Sequence, residues 1–205
     1  LYSNTTGDKN TSSGYRALFA NTTGSENTTS GYQTLYSNTT GDYNTATGTY
    51  ALYGNITGFR NTALGYKALY WNTVGEFNTA SGSSALISNT AGNHNTANGN
   101  EALYGNIQGS SNTASGNGAL ILNTVGSFNT ATGDGALGEN VVGSFNTAIG
   151  YNSDVGSGGL TNATAIGYGA TVNASNKIRL GNSNITSIEG QVAFSNASDR
   201  RLKKD

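Results

Sequence analysis

Few side chains in this sequence could do chemistry, and their spacing removes most reactions at once. The 205 residues hold no cysteine and one histidine, His94. Thiolate chemistry, a disulfide framework and a Cys/His metal centre therefore lack the ligands they need. The carboxylates Asp8, Glu26, Asp42 and Glu76 are scattered. A calcium-binding roll requires carboxylates recurring with glycine at fixed spacing, and a glycan-cleaving groove requires a paired acid and base. With neither pattern present, no metal and no cofactor is expected. What recurs is hydroxyl and aromatic. A threonine column runs from Thr11 to Thr147, and rings stand at Phe19, Tyr36, Tyr53, Tyr70 and Tyr104 and at Tyr15, Tyr32, Tyr66 and Tyr151. A flat row of threonines could order water at an ice surface, and exposed rings could stack on sugar faces. The plainer reading gives threonine its usual place in strands and gives the rings a packing role. Trp71 and His94 fall at positions that vary between repeats, and read as single exposed side chains.

These columns need a scaffold that repeats them. Asparagine stands at 17-residue intervals from Asn4 to Asn140, and again from Asn10 to Asn146, nine times in each set. Every member of the second set is followed by threonine and, four places on, by glycine (Gly14 to Gly150), while another glycine column runs from Gly7 to Gly143. A short, strict period marks a solenoid. Two glycines per unit supply corners where positive φ or close backbone approach costs little, and 17 residues suit one coil of a parallel β-helix or β-roll. Each column then stacks on itself at about 4.8 Å per turn, so asparagine side chains can hydrogen-bond amide to amide along the stack. Such a ladder accounts for both asparagine columns without a ligand.

The candidate core is an alanine column from Ala46 to Ala148, with Ser12 and Thr29 at its start, and a leucine column from Leu18 to Leu137. At about 25 cal/mol per Å² of apolar burial, one leucine and two alanines per coil are thin support for a coil's conformational entropy. Lateral packing of several chains would bury the leucine and tyrosine columns, which predicts a homo-oligomer of closed rotational symmetry. Charged residues make up 10% of the chain and the net charge is −1, so the basic footprint of a nucleic-acid binder is missing. No apolar run approaches the roughly 20 residues of a membrane span, and no membrane insertion is expected. No leader stands at Leu1, and the chain reads as part of a longer protein.

The pattern changes after Ser153. Gly156-Ser157-Gly158-Gly159 interrupts it, and Thr164-Ala165-Ile166-Gly167-Tyr168 then restates Thr147-Ala148-Ile149-Gly150-Tyr151. Lys177 to Gly181 and Ile185 to Phe194 read as alternating strands that leave the repeat. The expected division is residues 1–153 for nine repeats, 154–175 for an irregular turn and a final repeat, 176–197 for neck or cap strands, and 198–205 for a charged end.

Two segments, Asn146-Thr147-Ala148-Ile149-Gly150-Tyr151-Asn152-Ser153 and Ala163-Thr164-Ala165-Ile166-Gly167-Tyr168-Gly169-Ala170, resemble the head repeats of YadA-like trimeric autotransporter adhesins. The resemblance implies left-handed parallel β-rolls, three chains side by side, that bind host or matrix surfaces. The other coils keep the Asn-Thr-Ala-x-Gly frame but are longer than the usual head repeat. The end of the chain, Ser198-Asp199-Arg200-Arg201-Leu202-Lys203, resembles the opening of the intramolecular chaperone (peptidase S74) domain of phage tail fibres and tailspikes. That resemblance implies a domain that trimerises the fibre and then cuts itself off with a Ser–Lys pair. Ser198 would be the nucleophile and Lys203 its base, a role lysine takes only when its pKa is depressed. With only the domain's opening present, the chain itself is expected to be inactive.

The expected fold is all-β, a parallel β-helix or β-roll solenoid of 17-residue coils, left-handed and homotrimeric as the resemblance implies, with about ten turns spanning roughly 50 Å. The expected role is a structural or adhesive segment of an extracellular fibre, either a bacterial surface adhesin or a phage tail fibre. Its partners would be copies of itself and a cell-surface glycan or protein receptor, and its place the cell surface or a virion. The alternative is a ligand-binding solenoid that recognises ice or a glycan through its threonine or tyrosine ladder.

Overall fold

A computed structural model describes residues 1–188, and every regular element in them is a β-strand. Nine three-residue strands, β1 (Thr11–Ser13) to β9 (Thr147–Ile149), recur at the interval of the repeat. Each pairs in parallel with the next so that like meets like, as in Ala63↔Ala80 and Thr79↔Thr96. β11 (Ala163–Ile166) and β13 (Lys177–Leu180) extend this sheet to 11 strands, and β10 (Asp154–Val155) pairs with β12 (Thr171–Val172) in a second sheet. The chain is a parallel β-solenoid of about ten coils, rising about 48 Å at the usual strand spacing. Elsewhere in the coil, neighbours are joined by backbone bonds in both directions, such as Leu52 N–H to Ala68 O at 2.9 Å and Gly65 N–H to Thr47 O at 2.9 Å.

One expectation from the sequence is corrected here. Lys177–Leu180 does not leave the stack: β13 lies on β11 with Ala163 opposite Lys177 and Ile166 opposite Leu180, an offset of 177 − 163 = 14 residues. The coil loses three residues in the stretch that holds Gly156–Leu160 one turn earlier. Parallel pairing survives because it depends on backbone spacing along the strand, not on the length of the connection. Residues 185–188 form no regular element, and the remainder of the expected segment to Phe194 lies outside the described residues.

Five columns fill the narrow interior. The leucines from Leu18 to Leu137, the strand-centre alanines from Ala46 to Ala148 and the alanines preceding the leucines from Ala51 to Ala136 are fully buried. So are both asparagine columns from Asn21 and Asn27 onward. The leucine column is thus covered within a single chain, and neighbouring chains are not required to bury it. The asparagines supply the support that three small apolar columns lack. In the first column Asn72 Nδ2 donates to Asn55 Oδ1 and to Gly75 O, each at 2.9 Å, and Asn72 Oδ1 accepts from Asn89 Nδ2 at 2.7 Å. This is the amide-to-amide ladder. The second column bonds mainly to backbone: Asn78 Oδ1 accepts from Asn95 N–H at 2.9 Å, and Asn78 Nδ2 donates to Gly92 O at 2.8 Å. Paired in this way, the amides can be buried at little cost. Among the described residues, the buried side-chain polar atom left without a partner is Thr29 Oγ1. It sits where later coils place alanine.

Both glycine columns let coils touch: a Cβ on Gly24 would come within 2.5 Å of Gly41 O, and one on Gly65 within 2.6 Å of Gly82 O. Gly65 and its equivalents also adopt positive φ, +132° at Gly65 itself. Each coil also bends through non-glycine residues in the left-handed region, as at Arg60, Lys67 and Leu69 with φ of 54°, 55° and 52°. Such a conformation costs an L-residue roughly 1–2 kcal/mol. At the leucines, full burial offsets it by about 1.5–3 kcal/mol.

Candidate functional surfaces

With the asparagines, leucines and alanines turned inward, the outward positions of each coil form three surfaces. The first is the strand face, where the residues flanking the buried alanine point out. Thr28, Thr45, Thr79 and Thr96 are exposed there, as an ice-binding row would be. The column beside them changes from Thr47 to Leu64, Ser81, Asn98 and Ile149, so the face alternates between hydroxyl, aliphatic and amide.

The second surface is the aromatic edge. Phe19, Tyr36, Tyr53 and Tyr70 stack face to face, with centroids 5.3, 5.2 and 5.1 Å apart and planes within 7°. The coil rise sets this spacing, so the ring faces point along the axis at one another and mainly their edges face outward. Tyr50 lies edge-on to Tyr53 and Tyr70. Arg16 sits over Tyr15 and Phe19, and Lys67 over Tyr66 and Tyr70 at 5.1 and 5.6 Å. The hydrogen bond and charge of Tyr66 raise the pKa of the Lys67 ammonium, and burial raises that of the Tyr70 phenol. Trp71 packs edge-on against Tyr70 and is 52% exposed. His94 stacks on Phe77 at 4.8 Å.

The third surface is the corner between the two buried asparagines of each coil. Here Val125 and Phe128 stand outward between Asn123 and Asn129, and Val142 and Phe145 between Asn140 and Asn146. Reading residue by residue missed this corner. Its signal is the recurring Val-Gly-x-Phe at 74–77, 125–128 and 142–145.

Apart from Glu139 beside Asp154, the carboxylates of the described residues do not cluster. Glu26 pairs with Lys9 at 3.2 Å, and Asp42 Oδ1 accepts the Ser25 N–H at 2.7 Å. Among the described residues no three His, Cys, Asp or Glu side chains gather as a metal site, and no helix is long and apolar enough to cross a membrane. Asp154 takes the place of a leucine in its column. Burial chiefly, and then the Glu139 charge, push its pKa up to about 6, against the hydrogen bonds it accepts from Val155 and Glu139 N–H. Two clefts lie at the ends, one of about 350 Å³ beside Leu1, Tyr2 and Arg16 and one of about 360 Å³ beside Leu180, Asn182 and Ile188. Ser198 and Lys203 lie outside the described residues, as does the whole of 198–205. Comparison with protein-family models, curated proteins and solved structures finds no match for this chain.

Proposed function

We propose that this chain is a stiff structural or adhesive segment of an extracellular fibre, assembled as a homotrimer and displayed on a cell surface or a virion. The observation that supports this reading best is the unbroken register of β1 to β9, with invariant residues filling the interior and, apart from the threonine row, outer positions that vary. Such a coil stack is a spacer that carries changeable contact surfaces. Light scattering coupled to small-angle X-ray scattering tests it. The expected result is three times the 21.0 kDa chain mass and a rod of at least about 50 Å. A monomer at every concentration, or a compact particle, would remove the trimeric fibre.

The chaperone-like end belongs to the same proposal. A chain extended past Asp205 should release its C-terminal part, and Ser198→Ala should abolish that release. Release that persists in the variant would take Ser198 out of the reaction. The rival, recognition of ice or glycan by a ladder face, has weaker support in the geometry. The stacked tyrosines cover one another's faces, and the threonine row has a mixed neighbour. Thermal hysteresis or glycan-array binding would favour that rival.

A further inference from the structure

The asparagine corner carries side chains that its own coil does not require. Leu122, Val125, Phe128, Val141, Val142 and Phe145 are between 37% and 56% exposed. The Phe128 and Phe145 rings stack at 5.0 Å, which makes the ridge continuous from coil to coil. The position of Phe128 is held in other coils by Lys9, Glu26, Arg60 and Ser111, and that of Val125 by Thr6, Thr23 and Gln108. The coil therefore forms with charged or polar residues at both places. Phe128 and Phe145 have φ of 59° and 60°, the left-handed conformation that this position also takes at Lys9, Glu26 and Ser111. A half-exposed ring that its own fold does not require has its reason outside the chain.

We propose that this ridge is the surface along which copies of this chain pack side by side, in parallel and in step. The inference rests on the homo-oligomer reading and adds to it the face that makes the contact. The apolar corner occupies adjacent coils about 4.8 Å apart, and a second copy has the same rise to match it over both. Six side chains at half exposure offer on the order of 500 Å². Ile56, Val74 and Ile107 continue the same corner and bring it to about 700 Å², within the range one partner contributes to an interface of standard size. The corner segments 123–129 and 140–146 contain no charged residue, whereas those at 55–61 and 72–78 carry Arg60 and Glu76, so like charges are absent where the two uncharged levels converge on a rotation axis.

The competing apolar surface is the strand-face stripe Ile149, Ile166 and Leu180, stacked in register and each about 40% exposed. The test compares Phe128→Glu/Phe145→Glu with Ile149→Glu/Ile166→Glu by sedimentation equilibrium. Glu26 already occupies the ridge position, so the coil should keep its far-UV spectrum. The ridge variant should weaken association by about 100-fold or more through like-charge repulsion, while the stripe variant keeps its oligomer. A milder pair, Val125→Gln/Phe128→Ser, copies the residues of the preceding coil and should weaken association by about 10-fold. An oligomer that survives both ridge variants, or that only the stripe variant dissociates, overturns the ridge assignment and leaves the homo-oligomer standing. A wild-type chain that is monomeric overturns both.

Discussion

Asn72 lies in the middle of the first asparagine ladder, and replacing it with alanine should cost far more than the same change at the ladder's end. Its amide donates to Asn55 Oδ1 and Gly75 O and accepts from Asn89 Nδ2. After Asn72→Ala, Asn55 Oδ1 loses its side-chain donor in a fully buried site, at about 1–3 kcal/mol. Gly75 O still accepts from Asn61 Nδ2, and Asn89 Nδ2 still donates to Gly92 O. Those two losses therefore count only as broken bonds, about 0.5–1.5 kcal/mol each. With a small unfilled cavity, the total is about 3–5 kcal/mol. Asn4→Ala, at an exposed end where the amide donates to Gly7 O and accepts from Asn21 Nδ2, loses two solvent-accessible bonds and should cost about 1–2 kcal/mol.

Asn72→Asp sharpens the comparison, because it replaces both donors with acceptors that face Asn55 Oδ1 and Gly75 O. Burial raises the pKa of such a carboxyl in the folded state. Its penalty is therefore smallest at low pH and grows as pH rises through and above the ordinary carboxylate range. Urea unfolding followed by far-UV circular dichroism gives the ranking. Amide exchange across coils 3 to 6 shows whether the damage is local, as expected for a nearest-neighbour stack. Equal costs at Asn4 and Asn72, or an aspartate no worse than alanine at pH 7, would refute the idea that paired buried amides hold the coils together.

Four further outcomes follow from the same geometry. Thr29→Val keeps the shape but removes the orphaned hydroxyl, and should raise the urea midpoint by the equivalent of about 1 kcal/mol. Ser84, at φ 58°, occupies a position that Gly118 and Gly135 fill at 60° and 64°. Ser84→Gly should therefore stabilise by about 1 kcal/mol, whereas Gly75→Ala, whose Cβ would meet Gly92 O at 2.7 Å, should abolish or severely weaken folding. The pKa of Asp154 is raised to about 6 in the fold, so its contribution is full below pH 4 and is lost as pH rises from 4 to 6. Asp154→Asn should flatten that pH dependence and, because the site is partly open to solvent, add about 1–2 kcal/mol at pH 7.

The coil, its period and its two glycine corners were legible because a strict repeat maps directly onto stacked columns. The alanine and leucine columns were legible for the same reason. The interior position of the asparagines was harder to read, since an amide is ordinarily a surface residue. Asn78 is buried only because Gly92 O and Asn95 N–H lie where its amide needs them. That packing is also why the leucines need no neighbouring chain. The left-handed φ of Leu52 or Leu69 has no signal in residue type, because burial overrides local preference. The tyrosine arrangement could have been derived. Rings repeated at the coil rise must lie face to face, so an aromatic column along a solenoid hides its faces. Among the candidate surfaces, the threonine and tyrosine rows stood out by regularity, whereas the Val/Phe corner is irregular and becomes visible only once both asparagines point inward.

That irregularity bears on a problem the repeat creates. Coils with identical interiors give two neighbouring chains no means of telling one level from the next, so lateral pairing could slip by a coil at little local cost. The variable columns differ along the axis: stacked rings run from Phe19 to Tyr70, and the apolar corner is densest from Leu122 to Phe145. Under the proposed lateral packing, a slip of one coil sets Phe128 against Ser111 or Phe145, and a slip of two leaves Phe145 against Ser111. A slip of one coil likewise sets Val125 against Gln108 or Val142, and a slip of two sets Val125 against Ala91 or Val142 against Gln108. Each step of slip exposes apolar corner surface that the in-step pairing covers. The invariant asparagines make every coil alike, and the outward residues that break the likeness are the ones able to set register between chains.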